Sequence, residues 1–343
     1  MTGRVPPIDR TLFDNCISCL SSAAKRSPWQ SQCLNTSTRS FYSILICYQP
    51  NNMRFTLSYA SLVASTLMAS VSAKNWFAGF NASNEKSDGS CRTAADWGTM
   101  LDTAKAQGFT TVRVYGAECS SFDLVGAAAK ARGMFVMAGV YANEGTIAAS
   151  QSQLDNDVGL FVNAINKYGH ATFVGLTVGN EVNDSAQNIM NEVYNVRGYL
   201  NSLGYYGLVS TVHTWVFIRA NPVMCNGDFV GANAHAFYDG NTVATNAGSF
   251  VSYTVYPALV GACPGKKIII TESGWPSRGA TNGAAVPSLA NEQAALYGLN
   301  CAASGGATIY AFEYDDLAWT ANDNERSFGI FNKGLNFGTI FQC

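Results

Sequence analysis

Two glutamates stand where apolar runs end. In "LTVGNEVND" (176–184) a strand-like segment delivers Glu181 directly after Asn180, and "IIITESGWPSRG" (268–279) delivers Glu272 in the same way. Charged side chains are rare inside apolar runs unless they are paired or used. A single such glutamate reads equally well as a helix N-terminal partner or half of a salt bridge. Two of them, one preceded by Asn and the other followed by an aromatic-proline loop, point to paired-carboxylate chemistry. The reaction that needs such a pair is cleavage of a glycosidic bond. One protonated acid donates to the departing oxygen, and one ionised group attacks the anomeric carbon. A semi-apolar setting with aromatics such as Trp275 raises one pKa, while hydrogen bonds hold the other down. Asn180, just before the acid, is placed to bind the sugar 2-hydroxyl, a contact that strengthens in the transition state.

Both glutamates must be carried by elements that end at one place. Eight short apolar runs serve as strand candidates: 75–81, 110–116, 133–142, 172–182, 206–215, 229–238, 266–275 and 307–315. Near-continuous hydrophobicity fits strands covered on both faces, as in a parallel sheet. The intervals carry the helical period. Leu154, Val158, Phe161, Val162, Ile165 and Tyr168 form one stripe, and Ile189, Val193, Val196, Leu200 and Leu203 form another that stops at Gly204. Trp97, Leu101 and Ala104 mark a helix after the first strand. Alternating β and α leaves an open doubly wound sheet or a closed barrel. No Gly-rich phosphate loop follows the first strand, and eight units in the space available favour an α/β fold of the (β/α)8 TIM-barrel type, as a single domain. In such a barrel the functional groups come from strand C-termini and the loops after them, which would put Glu181 (strand four) and Glu272 (strand seven) in one mouth.

The chain has 343 residues, 48% hydrophobic and 13% charged, with net charge −2. That suits a sizeable globular core and supplies no basic footprint for nucleic acid. From Met53 the text reads "MRFTLSYASLVASTLMASVSAKNW": one Arg, a mostly apolar or small run, then Val71-Ser72-Ala73. This is the pattern of a secretory signal peptide, and it is too short and too rich in Ser and Thr for a membrane span. The expected organisation is a leader (1–52) outside the mature protein, a signal peptide (53–73) and a catalytic barrel (74–343). Six cysteines remain after the signal, an even number that reads as disulfides behind an export signal. Proximity in sequence suggests Cys91 with Cys119 and Cys225 with Cys263. No cysteine has metal-site spacing, and no metal or cofactor is implied. Asn81-Ala82-Ser83 and Asn183-Asp184-Ser185 are glycosylation sequons, the second too near Glu181 to expect modification.

The blocks "VRVYG" (112–116), "VGNEV" (178–182), "TESGWPSRG" (271–279) and "ERSFGIF" (325–331) resemble the signature segments of glycoside hydrolase family 17. That family contains plant β-1,3-glucanases and related fungal cell-wall glucanases and glucanosyltransferases. The similarity runs through most of residues 75–340, and "TESGWP" after a strand is its most specific part. Lean loops, with "DGSC" (88–91) and "GANAHAF" (231–237), look more like the fungal branch. The resemblance implies a retaining mechanism, with Glu181 as acid/base and Glu272 as nucleophile. It matches Tyr115 to the motif tyrosine of strand two, and Glu325 and Arg326 to an acidic-basic pair near the mouth. Arg113, Asn233, His235 and Tyr238 would line the cleft floor or wall, with a satisfied core histidine as the second reading of His235. Trp215 and Trp275 read as sugar platforms or as core. One departure concerns "FEYDDLAWT" (312–320): relatives read "FDE" followed by a tryptophan and a lysine, whereas here Leu317 replaces the Glu and Thr320 the lysine. That puts a supporting carboxylate and its cation in doubt, not the main pair. The resulting expectation is a secreted, monomeric enzyme of the cell wall or medium that cuts β-1,3-glucan, with no membrane span in its mature form. A glucanosyltransferase and a non-catalytic glucan-binding wall protein are the alternatives.

Overall fold

Eight strands pair in chain order, all parallel, and the last closes on the first: β1 (Gly79–Asn81), β2 (Thr111–Arg113), β3 (Phe135–Val140), β4 (Phe173–Asn180), β5 (Leu208–Thr214), β6 (Val230–Asn233), β7 (Ile268–Ser273) and β8 (Thr308–Ala311). Each lies within one of the eight apolar runs. The computed structural model describes residues 73–343, so the expected leader and all but the last residue of the expected signal peptide lie outside the described residues.

Helices follow the strands as the periodicity requires. Ala94–Ala106 starts with a reciprocal cap, in which the Thr93 hydroxyl accepts from the Asp96 amide (3.2 Å) and Asp96 accepts from the Thr93 amide (2.8 Å). Gln151–Tyr168 and Ala186–Ser202 carry the two apolar stripes, the second capped by Ser185 and stopped at Gly204, whose φ of 82° is the left-handed turn that glycine allows. After β6 the helix is irregular. Pro257 has no amide to donate, and the chain takes a wider π turn over Val251–Val255 before Tyr256–Ala262. The element after β8 is short, Phe337–Ile340.

The barrel interior is filled in layers. Met137, Phe229, Ile269 and Tyr310 form a buried cluster of their own, separate from the larger core under the helices. A Cβ on Gly79 would lie 2.6 Å from the Tyr310 ring, so a small residue beside a large one lets the ring fill the centre. Side chains alternate faces along a strand. Two residues beyond Phe229 and Ile269 in that alternation, the same faces present Gly231 then Asn233, and Thr271. The floor of the site therefore rests on a packed plug.

Three disulfides tie the periphery: Cys91–Cys119, Cys225–Cys263 and Cys301–Cys343. The Asn81 sequon is a correction. Asn81 lies in β1, fully buried, with its amide donating to Thr271 O (3.0 Å), and no glycan can reach it in the folded chain. Among the described residues no helix is long and apolar enough to cross a membrane.

Candidate active site

The end of β4 is bent so as to turn one side chain into the mouth. Pairing with β5 shifts register between Thr177 and Asn180. Gly179 has φ of 77°, and a Cβ there would sit 2.4 Å from Val182 Cγ2, so only glycine fits. Glu181 itself has φ of 51°, a left-handed conformation uncommon for a side chain of this kind, and its amide is fastened to Val212 O (2.9 Å). β7 is treated in a similar way. Its pairing shifts register against β6 between Ala232 and Asn233 and against β8 between Ile270 and Ser273. Bulges re-aim side chains next to functional sites. Here they let two successive residues, Thr271 and Glu272, both bond groups of the site.

One hydrogen-bonded chain joins the two carboxyls. Asn233 Nδ2 donates to Glu181 Oε1 (2.8 Å) and to Asn180 Oδ1 (3.2 Å), while Thr271 Oγ1 donates to Asn233 Oδ1 (2.8 Å). Arg113, fully buried, donates from Nη2 to Asn180 Oδ1 (2.8 Å) and from Nη1 to Glu272 Oε1 (2.7 Å). His235 Nε2 lies 3.3 Å from Glu272 Oε2. Asn180 thus has its oxygen committed to the protein and its NH2 left for the cavity.

The same network separates the two acidities. Glu181 is raised above the ordinary glutamate value, first by desolvation and then by the charge of Glu272, against a lowering hydrogen bond from Asn233. For Glu272 burial alone is the largest influence and pushes upward, but the His235 hydrogen bond and the Arg113 charge outweigh it and hold the carboxyl below the usual value. One carboxyl is prepared to keep a proton and the other to lose it.

Both open into one cavity of about 950 Å³. Of the sequence-derived residues, Tyr115, Asn180, Trp215, Asn233, His235, Tyr238 and Glu325 line it with the two glutamates. Among the described residues the buried Tyr115 hydroxyl has no hydrogen-bond partner. The Tyr238 hydroxyl donates to Glu325 and ties the β6 loop to the loop after β8. His235 is a wall residue rather than a core one, with its ring edge-on to Phe312 and Phe328.

Three expectations need correction. Trp275 is fully buried, packs edge-to-face on Phe237 (5.3 Å) and donates from Nε1 to Val286 O (3.1 Å); it is core and offers no sugar platform. Arg326 turns away to brace Thr320 O (2.8 Å) and Asp323 (3.7 Å), outside the cavity wall. Arg113 lies beneath the floor, holding Glu272 and Asn180, instead of lining it.

Residues singled out only by the structure are Asn84, Tyr141 and Trp319, all on the cavity wall. Trp319 is 48% exposed and anchored by Nε1 to Lys86 O (3.0 Å), as a stacking platform would be. Its place just past β8 was the available signal. The structure also places the departing residues Leu317 and Thr320. Both residues line the cavity, and Asp316 takes its cations elsewhere, from Arg278 (2.8 Å) and Lys333 (2.9 Å). Among the described residues no group of three or more His, Cys, Asp or Glu side chains is arranged to hold a metal ion.

Residues 79–329 match the family model described as the BtgE/BtgC glycoside hydrolase domain. A probable family 17 glucosidase of Saccharomyces cerevisiae is 33% identical over 247 residues, covering 70% of this chain and 60% of that protein. A probable β-glucosidase of Aspergillus terreus is 30% identical over 263 residues, 74% of this chain and 44% of that protein. A cell surface mannoprotein of Candida albicans is 31% identical over 264 residues, 74% of this chain and 66% of that one. The chain thus spans about half the length of the first two. Among solved structures, the family 17 β-1,3-glucanosyltransferase of Rhizomucor miehei superposes with a TM-score of 0.66 at 24% identity, over 76% of this chain and 97% of that one, which speaks for the fold.

Proposed function

Since the chain belongs to the BtgE/BtgC glycoside hydrolases of family 17, we propose that it is a retaining glycosidase cutting β-1,3-glucan, with Glu181 as acid/base and Glu272 as nucleophile. The observation that carries this reading is the single network from Glu181 through Asn233, Asn180 and Arg113 to Glu272, with the two acidities shifted apart.

In the first step a Glu272 oxygen attacks the anomeric carbon while Glu181 gives its proton to the glycosidic oxygen. The carbon–oxygen bond to the leaving glucan breaks, and a glycosyl ester on Glu272 forms. Arg113 and His235 keep Glu272 ionised and oriented, and the free NH2 of Asn180 donates to the sugar 2-hydroxyl. In the second step Glu181, now ionised, takes a proton from water. The water oxygen replaces Glu272 at the anomeric carbon, and both carboxyls return to their starting states. The choice of a β-1,3-linked glucan rests on the "TESGWPSRG" and "VGNEV" resemblance and on the relatives being named family 17 glucosidases.

A second reading, transfer to another glucan chain, is favoured by the apolar stretch of wall formed by Trp215, Val216 and Phe250, on which an acceptor sugar could stack. In that case a glucan hydroxyl takes the place of water. Time-resolved product analysis with a defined laminari-oligosaccharide separates the two. Shorter products alone mean hydrolysis, products longer than the substrate mean transfer, and no turnover removes both. Export to the cell wall or medium is part of the proposal. It is supported by three disulfides, which persist in oxidising compartments, and by a relative that is a cell surface mannoprotein.

A further inference from the structure

Among the described residues five carboxyl side chains are buried, and four have partners. Asp157 accepts from Gln153 (2.6 Å), Glu192 from Gln151 (3.1 Å), Glu272 from Arg113 (2.7 Å), and Glu292 lies 3.2 Å from Lys333 Nζ. The fifth is Glu313, which is 3% exposed, lines the cavity, and has neither an ion pair nor a side-chain hydrogen bond. Its backbone is fixed just beyond β8, with the amide on Phe328 O (3.0 Å) and the carbonyl accepting from Ile330 (2.8 Å).

The charges around it are all of one sign or already committed. Glu272 on β7, Asp315 and Asp316 on its own segment, and Glu325 on the following loop act on it together. The cations in this region serve other groups: Arg113 bonds Glu272, Arg92 bonds Asp315 (2.8 Å), and Arg278 and Lys333 bond Asp316. A buried carboxyl among negative charges, with no cation of its own, keeps its proton. Burial is the largest influence and these neighbours add to it, raising Glu313 well above the usual carboxyl value. A carboxylic acid has an O–H donor that a carboxylate lacks. Tyr115, whose hydroxyl has no hydrogen-bond partner among the described residues, lines the same cavity close to Glu272 and Glu313. The two groups therefore present unused hydrogen-bonding capacity to the space beside Glu272.

We propose that the Glu313 carboxylic acid donates a hydrogen bond to a hydroxyl of the sugar bound over Glu272, and so positions that sugar for attack; the proposal rests on reading the cavity as a glucan site. Glu313 thereby becomes a substrate-positioning residue whose role depends on neutrality, whereas the neighbouring Glu272 acts ionised.

The test uses the full chain and laminari-oligosaccharides. Absence of any wild-type turnover or binding would remove the glucan reading itself, and this proposal with it. With wild-type turnover in hand, Glu313→Gln, which keeps a neutral donor, should hold kcat/KM within about threefold, and Glu313→Ala should lower it about ten- to a hundredfold. The acid limb of the kcat/KM profile should stay in place in Glu313→Gln. Loss in Glu313→Gln equal to that in Glu313→Ala would overturn the proposal. So would a shift of that limb to lower pH, the signature of removing a negative charge beside Glu272. A set of monodeoxy aryl β-glucosides guards against a folding artefact. One deoxy position should lose its penalty in Glu313→Ala while keeping it in the wild type. If every position keeps its penalty in the variant, the contact does not exist.

Discussion

At the residue scale, two identical side chains are shifted in opposite directions by their surroundings, and the proposed roles then yield a defined pH profile. As the proposed nucleophile, Glu272 must be ionised to attack, so kcat/KM should be present above its lowered pKa and lost as pH falls through it. As the proposed acid, Glu181 must be protonated to donate, so kcat/KM should be present below its raised pKa and lost as pH rises through it. The expected profile is a bell whose two limbs are spread wider than the two ordinary glutamate values allow. Removing the Arg113 charge in Arg113→Gln should move the acid limb to higher pH, since a charge that lowers Glu272 is gone; a limb that stays put would show that Arg113 does not tune it. Glu181→Gln should lower kcat on unactivated glucan by about 10²- to 10⁴-fold. Substrates with activated leaving groups should recover the first step, and azide the second. Near-wild-type activity on polymer in this variant would show the acid/base role to be wrong.

At the scale of elements, the strand tips are where sequence rules and function collide. Gly179 and the left-handed Glu181 form a short bend that regular β structure would not make, held by Glu181 N to Val212 O. Gly179→Ala would place a Cβ 2.4 Å from Val182 Cγ2 at a positive φ. The expected cost is about 1–3 kcal/mol of stability, read as a lowered Tm together with a drop in kcat; an unchanged Tm and rate would show that the bend tolerates a side chain. All eight strands were legible because strands buried on both faces are written as apolar runs. The helices Gln151–Tyr168 and Ala186–Ser202 were legible because their apolar stripes repeat over four turns or more. The short and irregular helices after β6 and β8 have no such repeat. For the site, the position of Glu181 and Glu272 at strand ends could be read, because a barrel puts all strand ends at one face. Direction could not be read. Trp275 and Arg326 sit in the right segments but point away from the cleft, while Trp319, three residues past the Asp316 that binds Arg278 and Lys333, points in. Residue type and place in the chain do not contain that information, since loops turn side chains by contacts that only the folded chain supplies.

At the scale of the whole molecule, closure of the barrel makes remote segments share one environment, and some of that environment is costly. Glu292, on the helix Leu289–Ser304, is fully buried beside Lys333, and burial pushes it up to about 8 despite that cation. A carboxyl raised on folding binds more protons in the native than in the unfolded chain. Its contribution is therefore present below the unfolded value of 4.5 and is lost as pH rises toward about 8. Glu292→Gln removes the charge without changing shape. Its Tm relative to the wild type should rise by a few degrees between pH 5 and pH 9; a difference independent of pH would mean that Lys333 keeps the pair ionised. The three disulfides close spans of 28, 38 and 42 residues and should each contribute about 2–4 kcal/mol. Reduction before heating should lower the Tm of the folded chain, and an unchanged Tm would leave the bridges without a stabilising role. The most direct test of the whole account is to expose the chain to an activated 2-deoxy-2-fluoro β-glucoside or laminaribioside and to weigh the protein and its peptides. A single stoichiometric glycosyl adduct on the peptide carrying Glu272, absent from Glu272→Gln, is the expected result. An adduct on Glu181 or on any other residue, from a chain that turns over glucan, would contradict it.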